Sequence, residues 1–323
     1  GTTDFTDGHR WAARELAGAD RAIASGRTRW VALINLPSFH LCKSVKSVVS
    51  DTDVDVAVIG GGAVGLACAM EISQTKSVAV IERHEGFGYE TSSHNSGVIH
   101  AGIYYQPGSL KAELCVAGMK RMYAFCEQRG IPHEKVGKRI VALGPHELDR
   151  LDELERRGIA NGVPGLKRLD ADGLREIEPH CTGVAALHSP ETGIADFPAV
   201  ARALADDVRE RGGEIRLGTD VLGMTKKARG VEIRTAHDAI GAQSAVVCAG
   251  LWADRMAVAA GAPGDPRIVP FRGAYLRLKP DAQHLVKGLI YPVPDPELPF
   301  LGVHLTRHIS GEVWLGPTAL LVG

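Results

Sequence analysis

The sequence predicts an α/β fold built around a Rossmann-like dinucleotide-binding domain, in a chain of 323 residues that is long enough for about two domains of roughly 150 residues each. Three observations carry that prediction. An apolar run from Asp55 to Ile59 enters a G-x-G-x-x-G turn, a second apolar strand ends in an acid at Glu82, and a later buried strand from Ser244 closes on Ala249 and Gly250.

Residues 1–50 precede the first of these elements. No acidic residue occurs from Arg21 to Ser50, so the segment reads either as an irregular leader or as an organelle-targeting segment. Asp55 to Ile59 is nearly all apolar, which suits a central parallel strand buried on both faces. Gly60 permits the tight turn, Gly62 lets backbone approach a pyrophosphate, and Gly65 lets the next helix pack close to the strand. That helix, Ala63 to about Gln74, aims its N-terminal amides and positive dipole end at the phosphate. Ser77 to Glu82 forms the second strand, and Glu82, 22 residues after Gly60, is placed to take the ribose hydroxyls of an adenosine. Arg83 beside it suggests a 2'-phosphate partner, which Glu82 at the strand tip would repel.

A nicotinamide-binding chain would continue with another strand and helix. Here "RHEGFGYETSSHNSGVIHAGIYY" follows, rich in Gly, Ser and His and without helical period. Ser92, Ser93 and Asn95 offer donors while Gly97 and Gly102 allow close approach, the pattern of backbone laid along a long ligand, which favours extended FAD. Two amphipathic helices are expected at 109–130 and 145–158, and a third at 198–211 with Pro198 in its first turn. A strand at 213–221 follows, then the strand from Ser244, whose Ala249 and Gly250 meet the dinucleotide. From Ile268 onward, strand-like runs are broken by many prolines and glycines.

Composition excludes several classes. Thirty-seven basic against 38 acidic side chains leave a formal charge of -1, so nothing draws the chain to nucleic acid. Aromatics at 5% argue against a base-stacking surface. The six cysteines are scattered with no C-x-x-C and no zinc spacing, which points to a reduced, metal-free intracellular protein with its flavin bound non-covalently. The best apolar run, Trp30 to Leu36, is too short to span a membrane.

Four blocks go further. "SSHNSGVIHAGIYY" (92–105), "PRIVPFRGAYLRLKP" (266–280), "YPVPDPELPFLGVHLT" (291–306) and "VWLGPTA" (313–319) closely resemble the L-2-hydroxyglutarate dehydrogenase (oxidase) family of the D-amino-acid-oxidase-like FAD enzymes. The resemblance runs from about Asp53 to Ala319. It implies a GR2-type FAD-binding domain assembled from 51–100 and 190–260, with an inserted substrate domain, built on an antiparallel sheet, from 101–189 and 261–323. It also implies oxidation of L-2-hydroxyglutarate to 2-oxoglutarate by hydride transfer to the flavin, with electrons passed to a quinone, a carrier protein or oxygen. The family continues beyond this length with a flavin loop, a sheet strand and a last helix, so a C-terminally truncated chain is expected. The implied location is cytoplasmic, at most peripheral to the inner membrane, or mitochondrial in a eukaryote.

Oxidising a 2-hydroxy acid needs a base for the hydroxyl proton and cations for carboxylates, while the cofactor accepts the hydride. Histidine titrates near working pH, and two lie within the recognised blocks, His100 and His304; either is a candidate base. His94 reads as a packing or flavin-contacting residue. Arg272 is the candidate for carboxylate recognition, since guanidinium forms two parallel hydrogen bonds and stays charged. Tyr104 and Tyr105 are candidates for orienting substrate, and Lys111, starting a helix, is expected to be solvated. Two alternatives stay open: a related oxidoreductase of glycerol-3-phosphate, malate or an amine, and an inactive flavoprotein fragment.

Overall fold

The computed structural model describes residues 53–295, 297 and 302–322. The leader at 1–50 and part of the 291–306 block therefore lie outside the described residues. In chain order, β1 (Val54–Ile59), α1 (Ala63–Ile72) and β2 (Val78–Ile81) lead through an irregular stretch to β3 (Val98–Ile99). Next come α2 (Leu110–Arg129), β4 (His133–Glu134), β5 (Lys138–Ala142), α3 (Leu148–Ala160), β6 (Lys167–Asp170), α4 (Ala171–Ile177), β7 (Ala185–Ser189) and β8 (Gly193–Ala195). They are followed by α5 (Phe197–Glu210), β9 (Glu214–Arg216), β10 (Val221–Lys226), β11 (Val231–Thr235), β12 (Ala239–Val247) and α6 (Ala253–Ala259). The remaining strands are β13 (Phe271–Arg272), β14 (Leu276–Arg277), β15 (Leu289–Pro292), β16 (His304–Arg307), β17 (Val313–Gly316) and β18 (Leu320–Leu321).

One sheet has the order β10-β11-β12-β1-β2-β9. Its β12, β1, β2 and β9 run parallel, and every residue of β2 is buried, as an apolar strand covered on both faces requires. Leu66 and Ala69 of α1 share a core with Val58 and Val80 below and Val200, Leu204 and Val208 of α5 beside them. Asp196 caps α5 by accepting from the Ala199 amide at 2.9 Å, and Pro198 sits in its first turn. The single strand expected at 213–221 is two strands. Gly218 takes φ +61, a left-handed turn, and Thr219 N–H then donates to Glu82 O at 2.9 Å, tying this bend to the tip of β2.

The second large sheet has the order β14-β17-β16-β15-β5-β7-β6. It differs from the antiparallel sheet expected in one pair: β5 and β15, contributed by separate excursions of the chain, run parallel, with Leu289 opposite Lys138. The helix at 110–129 is bounded as its sequence dictates, Ser109 accepting from Ala112 N–H at 3.3 Å and Gly130 closing it at φ +63. A separate small sheet has the order β3-β8-β4.

Strand β5 opens with Lys138 and Arg139, both almost fully buried at 1% and 5% exposure. Successive strand residues face opposite sides, and the two cations meet different surroundings. Arg139 reaches Glu178, itself fully buried, at 3.4 Å and donates to Val136 O at 2.8 Å. Lys138 has no ion-pair partner among the described residues.

Candidate active site

The turn after β1 is shaped by what glycine lacks. Gly60 has φ +113, and a Cβ there would lie 2.3 Å from Cys248 O; a Cβ at Gly65 would lie 1.9 Å from Gly60 O. Strand, turn and helix can approach this closely only without side chains. Gly62 gives α1 no side-chain cap, and the first amide is met from afar: Ser92 Oγ accepts from Ala63 N–H at 2.9 Å.

Glu82 directly follows β2 and has 8% exposure. Its Oε2 accepts from Gly61 N–H at 2.5 Å and its Oε1 from His84 N–H at 2.8 Å, so the carboxylate is fixed in direction while each oxygen keeps acceptor capacity. Arg83 is ion-paired with Glu90 and lies 4.6 Å over the Trp252 ring. Gly60, Gly62, Glu82, Ser92, Ala249 and Gly250 share a cleft of about 720 Å³, within the ordinary range for cofactor sites. An uncrowded helix N-terminus, a fixed carboxylate and this volume fit a dinucleotide.

The donors expected along the ligand separate. Ser92 lines the cleft, whereas Ser93 donates to Glu90 O at 3.3 Å, and Asn95 donates to Ser92 O at 2.7 Å and accepts from Gly97 N–H at 2.7 Å. These last two hold the loop's own shape. Gly97, at φ +68, backs onto Ala195 O, and His94 is exposed. Cys68 and Cys248, far apart in sequence, share a thiol–thiol hydrogen bond that draws Cys68 down to about 6 and, with burial, pushes Cys248 up.

A second constellation forms where the loop after β3 meets the β5–β15–β16 part of the other sheet. Lys138 Nζ lies 3.3 Å from His100 Nδ1, 4.1 Å over the Tyr291 ring and 5.1 Å over the Tyr104 ring. Tyr291 stacks on His304 with centroids 3.9 Å apart. His304 Nδ1 lies 2.9 Å from Gly302 O, so Nδ1 carries the proton. Burial, with Lys138 and His304 nearby, holds His100 down at about 3. Burial lowers Lys138 to about 7, as expected for an ammonium taken out of water. Tyr104 is pushed well up by the same cause, and its hydroxyl has no partner among the described residues. His100, Tyr104, Tyr105 and Lys138 line a small recess.

The two candidate histidines are thus brought into one cluster with Tyr104 and Tyr105 at its edge. Arg272 is not: it lies exposed on β13, paired with β18, and lines neither cavity. Lys111 is exposed in the first turn of α2. Sequence reasoning missed Lys138 and Tyr291. The available signal was a lysine opening the apolar run "KRIVAL", where a buried strand ordinarily carries no charge.

The family of FAD dependent oxidoreductases (DAO) matches residues 55–323. An L-2-hydroxyglutarate dehydrogenase, mitochondrial, of Nematostella vectensis is 47% identical over 284 residues, covering 83% of this chain and 62% of that protein. One of Caenorhabditis elegans is 43% identical over 301 residues, covering 90% and 70%. The chain thus spans under two thirds of the sea-anemone relative's length. Among solved structures, an FAD-bound L-alpha-glycerophosphate oxidase from Mycoplasma pneumoniae superposes with TM-score 0.73 at 28% identity, covering 84% of this chain and 72% of that one.

Proposed function

Since this chain belongs to the FAD dependent oxidoreductase family and, within it, to the L-2-hydroxyglutarate dehydrogenases, we propose that it binds FAD in the cleft under the glycine turn and oxidises L-2-hydroxyglutarate to 2-oxoglutarate. The observation that carries the reading is the level of identity, 47% over 284 residues and 43% over 301 residues with two such dehydrogenases. Fold likeness alone, at 28%, is shared with an enzyme named for another alcohol.

In this reading the domains follow the division expected from the sequence, 51–100 with 190–260 for FAD and 101–189 with 261–323 for substrate. The amides at the start of α1 hold the pyrophosphate, and Glu82 takes the ribose hydroxyls. FAD, when bound, supplies the two-electron acceptor. His100 is the base: it lines the recess beside Tyr104 and Tyr105, while His304 is buried under Tyr291 and positions that ring. Electrons then leave to a quinone, a carrier protein or oxygen, in the mitochondrion if the cell is eukaryotic.

The test is an anaerobic titration of the FAD-loaded chain with each enantiomer of 2-hydroxyglutarate. Flavin absorbance bleaches with the L form and not the D form. A fully loaded chain that keeps its colour with both would overturn the substrate assignment.

A further inference from the structure

Lys138 is a buried cation that the proposed reaction leaves without a task. Among the described residues, every group facing it is neutral or basic: Tyr104 from the loop after β3, Cys115 from α2, Tyr291 from β15, His304 from β16, and His100 itself. Arg139, one residue on, is compensated by Glu178. A charge left without a counter-ion in such a place is strongly disfavoured. Lys138 and His100, 3.3 Å apart, also cannot both be protonated without like-charge repulsion.

Resting on the reading of this site as one that oxidises an alcohol, we infer that Lys138 and His100 form a two-site proton relay, with the Lys138 amine as the final acceptor of the substrate hydroxyl proton. The contact through Nδ1 decides what His100 can do. With Lys138 a neutral amine, the ring donates Nδ1–H to Nζ and presents a bare Nε2 to the substrate. With Lys138 an ammonium, Nζ donates to Nδ1, the ring proton moves to Nε2, and no base remains. In the reacting state the substrate O–H bond breaks and Nε2–H forms, while Nδ1–H breaks and a third Nζ–H forms. FAD, when bound, would supply the acceptor for the C2 hydrogen and its electron pair, which leaves C2–O as the ketone. One proton is gained by Lys138, and two electrons leave the alcohol.

This arrangement explains how a histidine held near 3 by burial serves as a base: the proton is passed on to a group that titrates near 7. The pair titrates as a unit. Lys138 is thus a positioning residue for His100, since it sets the tautomer, and it does so without touching substrate.

The experiment is two-bond proton–nitrogen correlation spectroscopy of the FAD-loaded chain labelled at histidine nitrogens, from pH 5.5 to 9, with His100 assigned by His100→Gln. His100 is expected to switch from the Nε2–H to the Nδ1–H tautomer as pH rises, with a midpoint near 7, and Lys138→Met removes the switch. A single His100 tautomer across the range, or a switch that survives in Lys138→Met, overturns the relay. Lys138→Arg keeps a permanent charge, and flavin reduction by L-2-hydroxyglutarate should fall at least 100-fold with KM changed less than threefold; wild-type reduction in this variant also overturns it. In the wild type that rate falls tenfold per pH unit below the midpoint. The tautomer switch is read without substrate, so failure of the L-2-hydroxyglutarate reading shows as absent bleaching and is distinguishable from failure of the relay.

Discussion

At the tip of the nucleotide sheet a buried carboxylate is held by two backbone amides; at the start of β5, inside the second sheet, a buried ammonium has no carboxylate to hold it. Glu82 has both oxygens engaged, by Gly61 and His84, and the turn geometry supplies those donors automatically. Lys138 faces two aromatic rings and two imidazoles, while Arg139 beside it has the carboxylate partner that structural burial demands. The contrast between Arg139 and Lys138 teaches how to separate charge that holds a fold from charge kept for chemistry. The first kind is satisfied within the protein, and the second is left incomplete.

The largest effect should come from the glycine turn. Gly65→Val places a side chain where even a Cβ would be 1.9 Å from Gly60 O. Neither β1 nor α1 can yield without breaking the core around Leu66. The variant is expected to lose on the order of 4 kcal/mol or more and to purify without flavin. Stoichiometric yellow protein at wild-type thermal stability would show that the close approach is dispensable.

Next, Glu178→Gln leaves Arg139 buried without its counter-charge. It also weakens the acceptor for Lys287 N–H at 2.9 Å and Gly288 N–H at 2.8 Å. Breaking a buried pair in this way costs about 3–5 kcal/mol, readable as a lower urea midpoint with unchanged slope. If the loss is under about 1 kcal/mol, Arg139 is not held by Glu178, and the distinction between the two neighbouring cations collapses.

These two regions also differ in how far the sequence reveals them. The glycine turn is local: Gly60, Gly62 and Gly65 lie within six positions and their roles follow from backbone sterics, so strand, helix and cleft are legible in the residues themselves. His100 and His304 are legible as candidates because each sits in a distinctive block. Lys138 is not, because its meaning depends on β5 pairing with β15 across some 150 residues, and no local pattern announces that register. The thiol contact between Cys68 and Cys248 is hidden for the same reason. Ser93 and Asn95 show the converse case: polar side chains in a loop read as ligand donors also make short-range bonds to their own backbone, which compete for the same atoms.

The unpaired lysine predicts a pH effect on stability whose sign can be worked out. Its native value, about 7, lies below the ordinary 10.5. Between those limits the unfolded chain holds one more proton than the native one, so stability rises with pH across that window. Below 7 both states are protonated and the burial penalty is complete; above 10.5 it is gone. The slope from this group is at most about 1.4 kcal/mol per pH unit. Lys138→Met should therefore be more stable than wild type at about pH 6.5, with the advantage shrinking by about pH 9.5. Parallel urea midpoints for the two proteins across that range would mean that Lys138 is not buried as a charge.

The smallest effect tests the other side of the comparison. Ser92 Oγ accepts the first amide of α1, the group that a pyrophosphate would also claim. Removing an N-cap hydroxyl costs about 1 kcal/mol, so Ser92→Ala should lower the stability of flavin-free protein by that amount. With FAD bound, two outcomes separate two roles. If the hydroxyl only holds the helix end until the cofactor's phosphate replaces it, the loss disappears on loading and apparent FAD affinity rises about fivefold, since only the free state was weakened. If the hydroxyl stays on the amide beside the phosphate, the loss persists in both forms and affinity is unchanged. We expect the first, because Gly62 leaves the helix end without a cap of its own and Ser92 reaches it from a loop that also lines the cleft.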